Sequence, residues 1–311
     1  MDWGQLWEII SAPDNIPIVA LMILVPFYTW YGFRQARAND RLIAELEANP
    51  ELAKTHHRKT FPYRPGWPLE VHTWPYLLRI EFLAAIVVTA ILMVWSITLN
   101  APLEEPANPN LTPNPSKAPW YFVGLQEMLV YFDPWFAGVV LPTLIILGLM
   151  AFPYVDANPL GNGYYTWRQR TVAVTSFCLG FLMWILLIFI GTLIRGPGWM
   201  WFWPGQTWDH NRLIYEVNRD LPDLFGVTSV WGKAVLGFFA VALFYLVAGW
   251  VIHKLVTRTP LNRKIFERTS LVQYLTFQFF AITILAGLPM KMLLRHLFRI
   301  KYVWITPWFN V

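Results

Sequence analysis

Six histidines, one cysteine and one acid set among large rings are the side chains of this sequence with the widest chemical reach. The histidines are His56, His57, His72, His210, His253 and His296. Paired imidazoles inside a bundle of apolar helices would clamp a haem iron. None of the six lies within a long apolar run, although His253 stands at the edge of one, so the chain has no in-membrane histidine pair of its own. The adjacent His56 and His57 lie in a charged stretch and read as solvated surface. Cys178 is the sole cysteine and sits inside an apolar run, which excludes an intrachain disulfide and a thiolate cluster. No CxxCH is present for covalent haem attachment, and no metal site is expected.

The acid is Glu127. It follows "NPNLTPNPSKAPWYF", residues 108–122, where four prolines precede Trp120, Tyr121 and Phe122. Each proline locks its own φ and biases the residue before it towards extended backbone. This is a fixed arm rather than a loose linker, and it leads into an amphipathic stretch, residues 120–132. A carboxylate among rings near lipid is a candidate proton acceptor; the alternative is a helix-surface acid at headgroup level. The rings could wall a flat apolar ligand or form an interfacial aromatic belt, and the residues alone leave both open.

The elements that must hold these groups are membrane helices. Of 311 residues 56% are hydrophobic and 14% charged, against about 25% charged in soluble domains, and mean hydropathy is +0.41. A spanning helix needs about 20 apolar residues. Six stretches qualify: 16–33, 82–99, 136–155, 171–194, 234–252 and 271–290, none with Asp, Glu, Lys or Arg. Pro26 and Pro142 inside two of them are tolerable, because neighbours can re-satisfy a freed carbonyl. The predicted fold class is all-α, a multi-pass membrane protein with about six transmembrane helices and a short external surface helix.

Lysine and arginine set the orientation. With the N-terminus outside, the inner segments carry fifteen basic residues and the outer ones nine, which puts the N-terminus and segments 100–135 and 195–233 on the external face. The start of the chain lacks the basic, small-residue pattern of a signal peptide. Segment 34–79 is predicted to hold a short cytoplasmic helix near residues 39–52. The tail dissents, because Lys291, Arg295 and Arg299 recur every four residues opposite Leu293, Leu294, Leu297 and Phe298. It reads as an amphipathic helix in the interface. Segment 195–233 holds five tryptophans, of which Trp201 and Trp203 are expected to meet a partner or the membrane surface.

One family accounts for the order of these features. "PYRPGWPLEVHTWPYLLR", an apolar span, "APLEEPANPNLTPNPSKAPWYF" and then "FDPWFAGVVLPTLIILGLMAFPYVDANP" together resemble the C-terminal half of cytochrome b, nearest to the separate subunit IV of split cytochrome b complexes. The resemblance covers about residues 60–195. It divides the chain into an extra N-terminal helix and cytoplasmic segment (1–59), a cytochrome b C-terminal-like domain (60–195), and an aromatic loop with two further helices and tail (196–311).

The resemblance implies a subunit of a bacterial quinol:cytochrome c oxidoreductase, not active alone, in the plasma membrane. It also implies a quinol-oxidising pocket on the external side, with release of protons there. The implied quinol-binding residues are Pro119, Trp120, Tyr121, Phe122, Leu125 and Tyr131. The b haems and the Rieske iron–sulfur cluster belong to partners: a haem-binding cytochrome b N-terminal subunit and a Rieske protein, with a c-type cytochrome as acceptor. The complex is expected to be dimeric and lipid-embedded, with no nucleic acid. In the family a glutamate follows the motif's first proline; here Ala118 and Pro119 stand in those places. Proline relays no proton, so Glu127 becomes the catalytic candidate, with Tyr131 next, and menaquinone is the candidate quinone. A quinone-binding anchor of another respiratory complex and a scaffold with an inactive site are the rival readings.

Overall fold

The computed structural model describes residues 3–55, 73–100, 103, 106–160, 165–211 and 217–311. His56, His57, His72, Trp67, Pro68 and Pro102 lie outside these. The helices are α1 (Trp3–Ser11), α2 (Ile16–Ala48), α3 (Pro50–Thr55), α4 (Leu78–Thr98), α5 (Trp120–Met128), α6 (Phe136–Val155), α7 (Thr171–Ile194), α8 (Leu221–Leu224), α9 (Val230–Val256), α10 (Pro260–Glu267) and α11 (Leu271–Phe298). Among the described residues there is no strand, only isolated bridges such as Arg195 with Trp201 and Arg219 with Ile300.

Six helices are long and apolar enough to cross a membrane: α2, α4 with the turn before it (Thr73–Thr98), α6, α7, α9 and α11. They coincide with the six stretches expected and extend several of them, because intrahelical hydrogen bonding continues through polar residues once a helix is nucleated. Two expectations change accordingly. The separate cytoplasmic helix near 39–52 is largely the end of α2, which runs 33 residues before α3 starts at Pro50. The basic tail is not a separate surface helix either, since Lys291 to Phe298 are the last turns of α11. Two of its charges meet this chain. Lys291 is buried and donates to the Lys301 carbonyl at 2.6 Å, and Arg295 bonds the Asn218 side chain. The short surface helix expected beside the fourth proline is α5.

Proline shapes the long helices. Pro142 has no N–H to close a normal turn, and the stretch before it, Phe136–Val140, widens to π geometry with Leu141 N–H on the Phe136 carbonyl. A widened turn re-satisfies backbone groups that a proline would strand. The turn Ala281–Gly287 before Pro289 has the same geometry.

The chain divides into two compact units. One comprises residues 2–112 and 161–167. In it the polar end of α2 receives a short segment: Asn39 donates to the Tyr165 carbonyl at 2.9 Å, and Trp167 N–H donates to Asp40 at 3.2 Å. α4 has no buried residue. A helix apolar all round and exposed all round fits lipid or a partner subunit, not water.

The other unit, 113–160 and 168–311, carries α5 to α11. Gln273 reaches from the start of α11 to the Tyr154 carbonyl at the end of α6 at 2.7 Å, and His253 at the end of α9 meets the Tyr274 hydroxyl at 2.7 Å. At the opposite end, Met128, Tyr131, Phe132, Ala137, Leu141, Leu187 and Leu288 form one buried cluster. The start of α6, the end of α7 and the end of α11 therefore converge around α5. Two close approaches in this unit require glycine. A Cβ on Gly191 of α7 would lie 2.9 Å from Val123 Cγ2 of α5, and one on Gly237 of α9 would lie 2.6 Å from Trp304 Cα.

Candidate functional site

The proline-rich arm is stitched down by side chains. Gln126 of α5 uses both ends of its amide, accepting from Ala118 N–H and donating to the Ser116 carbonyl, each at 2.8 Å. Asn114 accepts from Gly198 N–H at 2.5 Å. Lys117 donates to the Thr192 carbonyl at 2.9 Å and sits 4.9 Å from the centre of the Trp208 ring. Burial lowers its pKa to about 8, partly opposed by the charge of Glu127. Pro119 ends the arm and caps α5, accepting from Phe122 and Val123 N–H at 2.8 and 2.9 Å. With φ already fixed, proline suits the boundary of a helix.

α5 has two faces. Val123, Gly124, Glu127 and Met128 are buried, the i, i+1, i+4, i+5 repeat of one helical side. Tyr121 and Phe122 are exposed, with ring centres 4.9 Å apart, and Trp120 lies 5.5 Å from Tyr121. Leu125 is half-buried between the two faces. The structure thus keeps Trp120, Tyr121 and Phe122 together at the outer start of α5, while Glu127 and Tyr131 meet on its inner side.

Glu127 is neither a surface acid nor an open one. It is wholly buried, and its carboxylate receives four donors. Oε1 accepts from Arg195 Nη2 at 2.7 Å and from the Tyr131 hydroxyl at 2.9 Å. Oε2 accepts from Arg195 Nε and from Trp199 Nε1, each at 2.9 Å. A carboxylate has about four lone-pair positions, and all are engaged. Burying two charges costs several kcal/mol per ion unless geometry and added hydrogen bonds offset it; here the guanidinium fork is bidentate, and Tyr131 and Trp199 complete the shell.

Local backbone explains how Arg195 arrives there. The last turn of α7 is π-helical, closed by Arg195 N–H on the Ile190 carbonyl at 3.0 Å, and the chain then leaves in an extended conformation. A tight turn at Pro197–Trp199 follows, with Gly198 at φ +66, a conformation suited to glycine. It returns Trp199 to Glu127 and brings Trp201 to 5.4 Å from the Arg195 guanidinium.

Tyr131 extends the network. Its hydroxyl also lies 3.0 Å from His296 Nε2 on α11. Burial raises the Tyr131 pKa well above the usual phenol range, reinforced by the negative charge of Glu127. The imidazole is exposed, with the Trp201 ring 5.5 Å and the Tyr131 ring 5.6 Å away. Trp201 is therefore half-buried against Arg195 and His296, while Trp203 is 60% exposed.

Arg195, Trp199 and His296 were not among the site residues expected from sequence. The available signal was positional: Arg195 is the first charge after the 171–194 run, at the same membrane end as Glu127. Among the described residues no group of three His, Cys, Asp or Glu could hold a metal ion.

The helices define a polytopic all-α membrane protein. Within it, residues 106–205 match the family model described as Cytochrome b(C-terminal)/b6/petD, so this stretch is similar to that family. It contains the stitched arm, α5, α6, α7 and the turn that carries Trp199. The match starts later than the resemblance over 60–195 and ends beyond it; α11, with His296, lies outside. No solved structure matches the chain. The six apolar helices support an integral membrane protein, part of which is similar to the C-terminal region of cytochrome b.

Proposed function

We propose that this chain is the pocket-forming membrane subunit of a quinol:cytochrome c oxidoreductase, at work in a bacterial plasma membrane with α5 on the external side. The observation that carries the proposal is the stitched arm and α5 lying together inside the cytochrome b-type region. An arm fixed at Asn114, Lys117 and Gln126 holds Pro119, Trp120, Tyr121 and Phe122 at a set place. Exposed rings with Leu125 beside them offer an apolar wall to a quinone ring, and binding sites of this kind combine apolar walls with few polar groups. Glu127 and Tyr131 stand behind that surface. Quinol is the substrate, with menaquinone the candidate.

The redox centres belong to the proposed partners, a haem-binding cytochrome b N-terminal subunit, a Rieske protein and a c-type cytochrome, in a dimeric complex. The b haems and the iron–sulfur cluster supply one-electron acceptance; this chain's residues bind and orient quinol and manage its protons.

The test is purification of the complex through a tag on this chain. Expected are a b-haem spectrum, an iron–sulfur signal and quinol-dependent cytochrome c reduction, with no bis-histidine haem spectrum from the subunit alone. A complex that binds quinone but lacks a Rieske protein would make the chain an anchor of another respiratory assembly. A complex with all centres and no quinol oxidation would make it a scaffold.

A further inference from the structure

The end of the second unit opposite α5 carries a concentration of unpaired positive charge. From the last turn of α9 to the residues before α11, positions 254–268 hold Lys254, Arg258, Arg263, Lys264 and Arg268 against one acid, Glu267. All six are exposed. Among the described residues, none of the five basic side chains enters an ion pair or a hydrogen bond. Bases elsewhere in this unit do find acids: Arg170 meets Asp156 and Lys233 meets Asp223, each at 2.6 Å.

These charges sit on a built corner. Thr259 caps α10 by accepting from Asn262 N–H at 3.3 Å, and Pro260 suits the first helical position with its preset φ. Leu261, Asn262, Ile265 and Phe266 form the covered side of α10, and the Phe266 ring lies 5.9 Å from Tyr274 and 5.3 Å from Phe277 of α11. The other side presents Arg263, Lys264 and Glu267. The Thr269 hydroxyl donates to the Phe266 carbonyl at 2.7 Å, and Ser270 and Gln273 exchange bonds in a capping box that starts α11. Next to the bases the membrane helices become apolar at once. Leu255 of α9 and Leu271, Val272 and Leu275 of α11 are all more than half exposed.

We propose that this corner binds an anionic phospholipid of the surrounding bilayer, its headgroup phosphate on the α10 bases and its acyl chains along the exposed leucines and valine of α9 and α11. Guanidinium and ammonium groups are strong donors to phosphate oxygens, and clustered bases beside a spanning helix attract acidic lipids. Charge complementarity and the apolar neighbours together select the occupant. A soluble anion would use the charges and leave the apolar residues bare. An apolar helix of a partner would cover those residues and strand the charges. A phospholipid satisfies both at once. The lysine and arginine count assigns this segment a side of the membrane; the packed α10 turns part of that charge into a fixed surface. The inference needs only that α9 and α11 cross a membrane, and it stands apart from the quinol reading.

The experiment titrates the purified, delipidated complex in detergent with pyrene-labelled phosphatidylglycerol or phosphatidylcholine of the same acyl chains. Binding is read by energy transfer from protein tryptophan. Phosphatidylglycerol should bind about tenfold tighter or more, and added salt should weaken it. Each base near an acidic lipid contributes a factor of roughly five, so Arg263→Gln with Lys264→Gln should weaken phosphatidylglycerol about tenfold or more and leave phosphatidylcholine unchanged. Arg37→Gln with Arg41→Gln, two exposed bases of α2, should leave both affinities as they are. Glycerol phosphate, which has the charge without the chains, should not displace the lipid at equal concentration. Equal binding of the two lipids, or an unaltered affinity in the Arg263, Lys264 variant, would overturn the proposal. An equal loss in the α2 variant would show diffuse charge in place of a site, and displacement by glycerol phosphate would assign the corner to a soluble anion; either result overturns it as well. Should the α10 variant not assemble, Lys254→Gln with Arg258→Gln carries the same test with the same outcomes.

Discussion

Glu127 and Arg195, 68 residues apart in sequence, meet through two N–H···O bonds of 2.9 and 2.7 Å with both side chains shut off from solvent. The pair joins the short helix α5 to the end of the membrane helix α7. Removing one partner leaves an uncompensated buried charge, which costs about 3–5 kcal/mol, whereas replacing both by apolar groups is often close to neutral. Arg195→Leu alone should therefore destabilise the complex strongly, and Glu127→Leu with Arg195→Leu should destabilise it less. Denaturant unfolding of the four complexes in detergent measures the cycle. A double variant as unstable as the sum of the two singles would show that the pair is not coupled.

Lys117 gives the arm a pH dependence whose sign follows from its shift. Burial takes its pKa from 10.5 to about 8, so between those values the unfolded chain holds a proton that the folded chain has released. Stability rises with pH wherever the unfolded state binds more protons. Below about 8 both states are charged and the burial cost is present in full; it is relieved as pH climbs towards 10.5, by at most about 3 kcal/mol. The melting temperature of wild type should thus gain on that of Lys117→Met between about pH 7.5 and 9.5. Parallel curves for the two proteins would place the amine in water rather than between Thr192 and Trp208.

The contact of α5 with α7 rests on a missing side chain. A Cβ at Gly191 would approach Val123 Cγ2 to 2.9 Å and the Val123 carbonyl oxygen to 3.2 Å. Overpacking of this sort costs about 1–3 kcal/mol. Gly191→Ala should lower the melting temperature, and Val123→Ala added to it should recover part of the loss by removing the closer atom. No recovery in the double variant would mean that backbone, not the valine methyl, sets the limit.

The membrane helices were legible because twenty apolar residues without charge have few other fates, and the proline arm was legible because φ restriction is local. The site was legible only in part. Trp120, Tyr121 and Phe122 announce themselves by adjacency, but which face of α5 Glu127 occupies depends on what packs there. That is decided by Gly191 and Ile188 of α7, over 60 residues away. Arg195 read as one more external base and Trp199 as one of five loop tryptophans, since charge counting and composition assign no partners. The tail misled for a related reason: a period of four basic residues describes a polar helix face equally well whether it lies on lipid or, as with Lys291 and Arg295, on its own chain.

Orientation in the membrane is the remaining expectation with a direct chemical test. Within the second unit, residues just before α6, just after α7 and at the end of α11 share one end, through Glu127 with Arg195 and Tyr131 with His296. Alternating helix direction requires that grouping, and the lysine and arginine distribution assigns it to the outside. Asn110, in the connection that leads to α5, and Asn49, at the end of α2, are both exposed. Native Cys178 sits inside the α7 span and is replaced by serine first. A membrane-impermeant thiol reagent added to intact cells should then label Asn110→Cys and spare Asn49→Cys, which reacts once the membrane is opened. Labelling of position 49 in intact cells, with position 110 protected, would invert the topology and put α5 and His296 on the cytoplasmic face. Protons from quinol would then be released inward, and the proposed coupling to external proton release would fall with it.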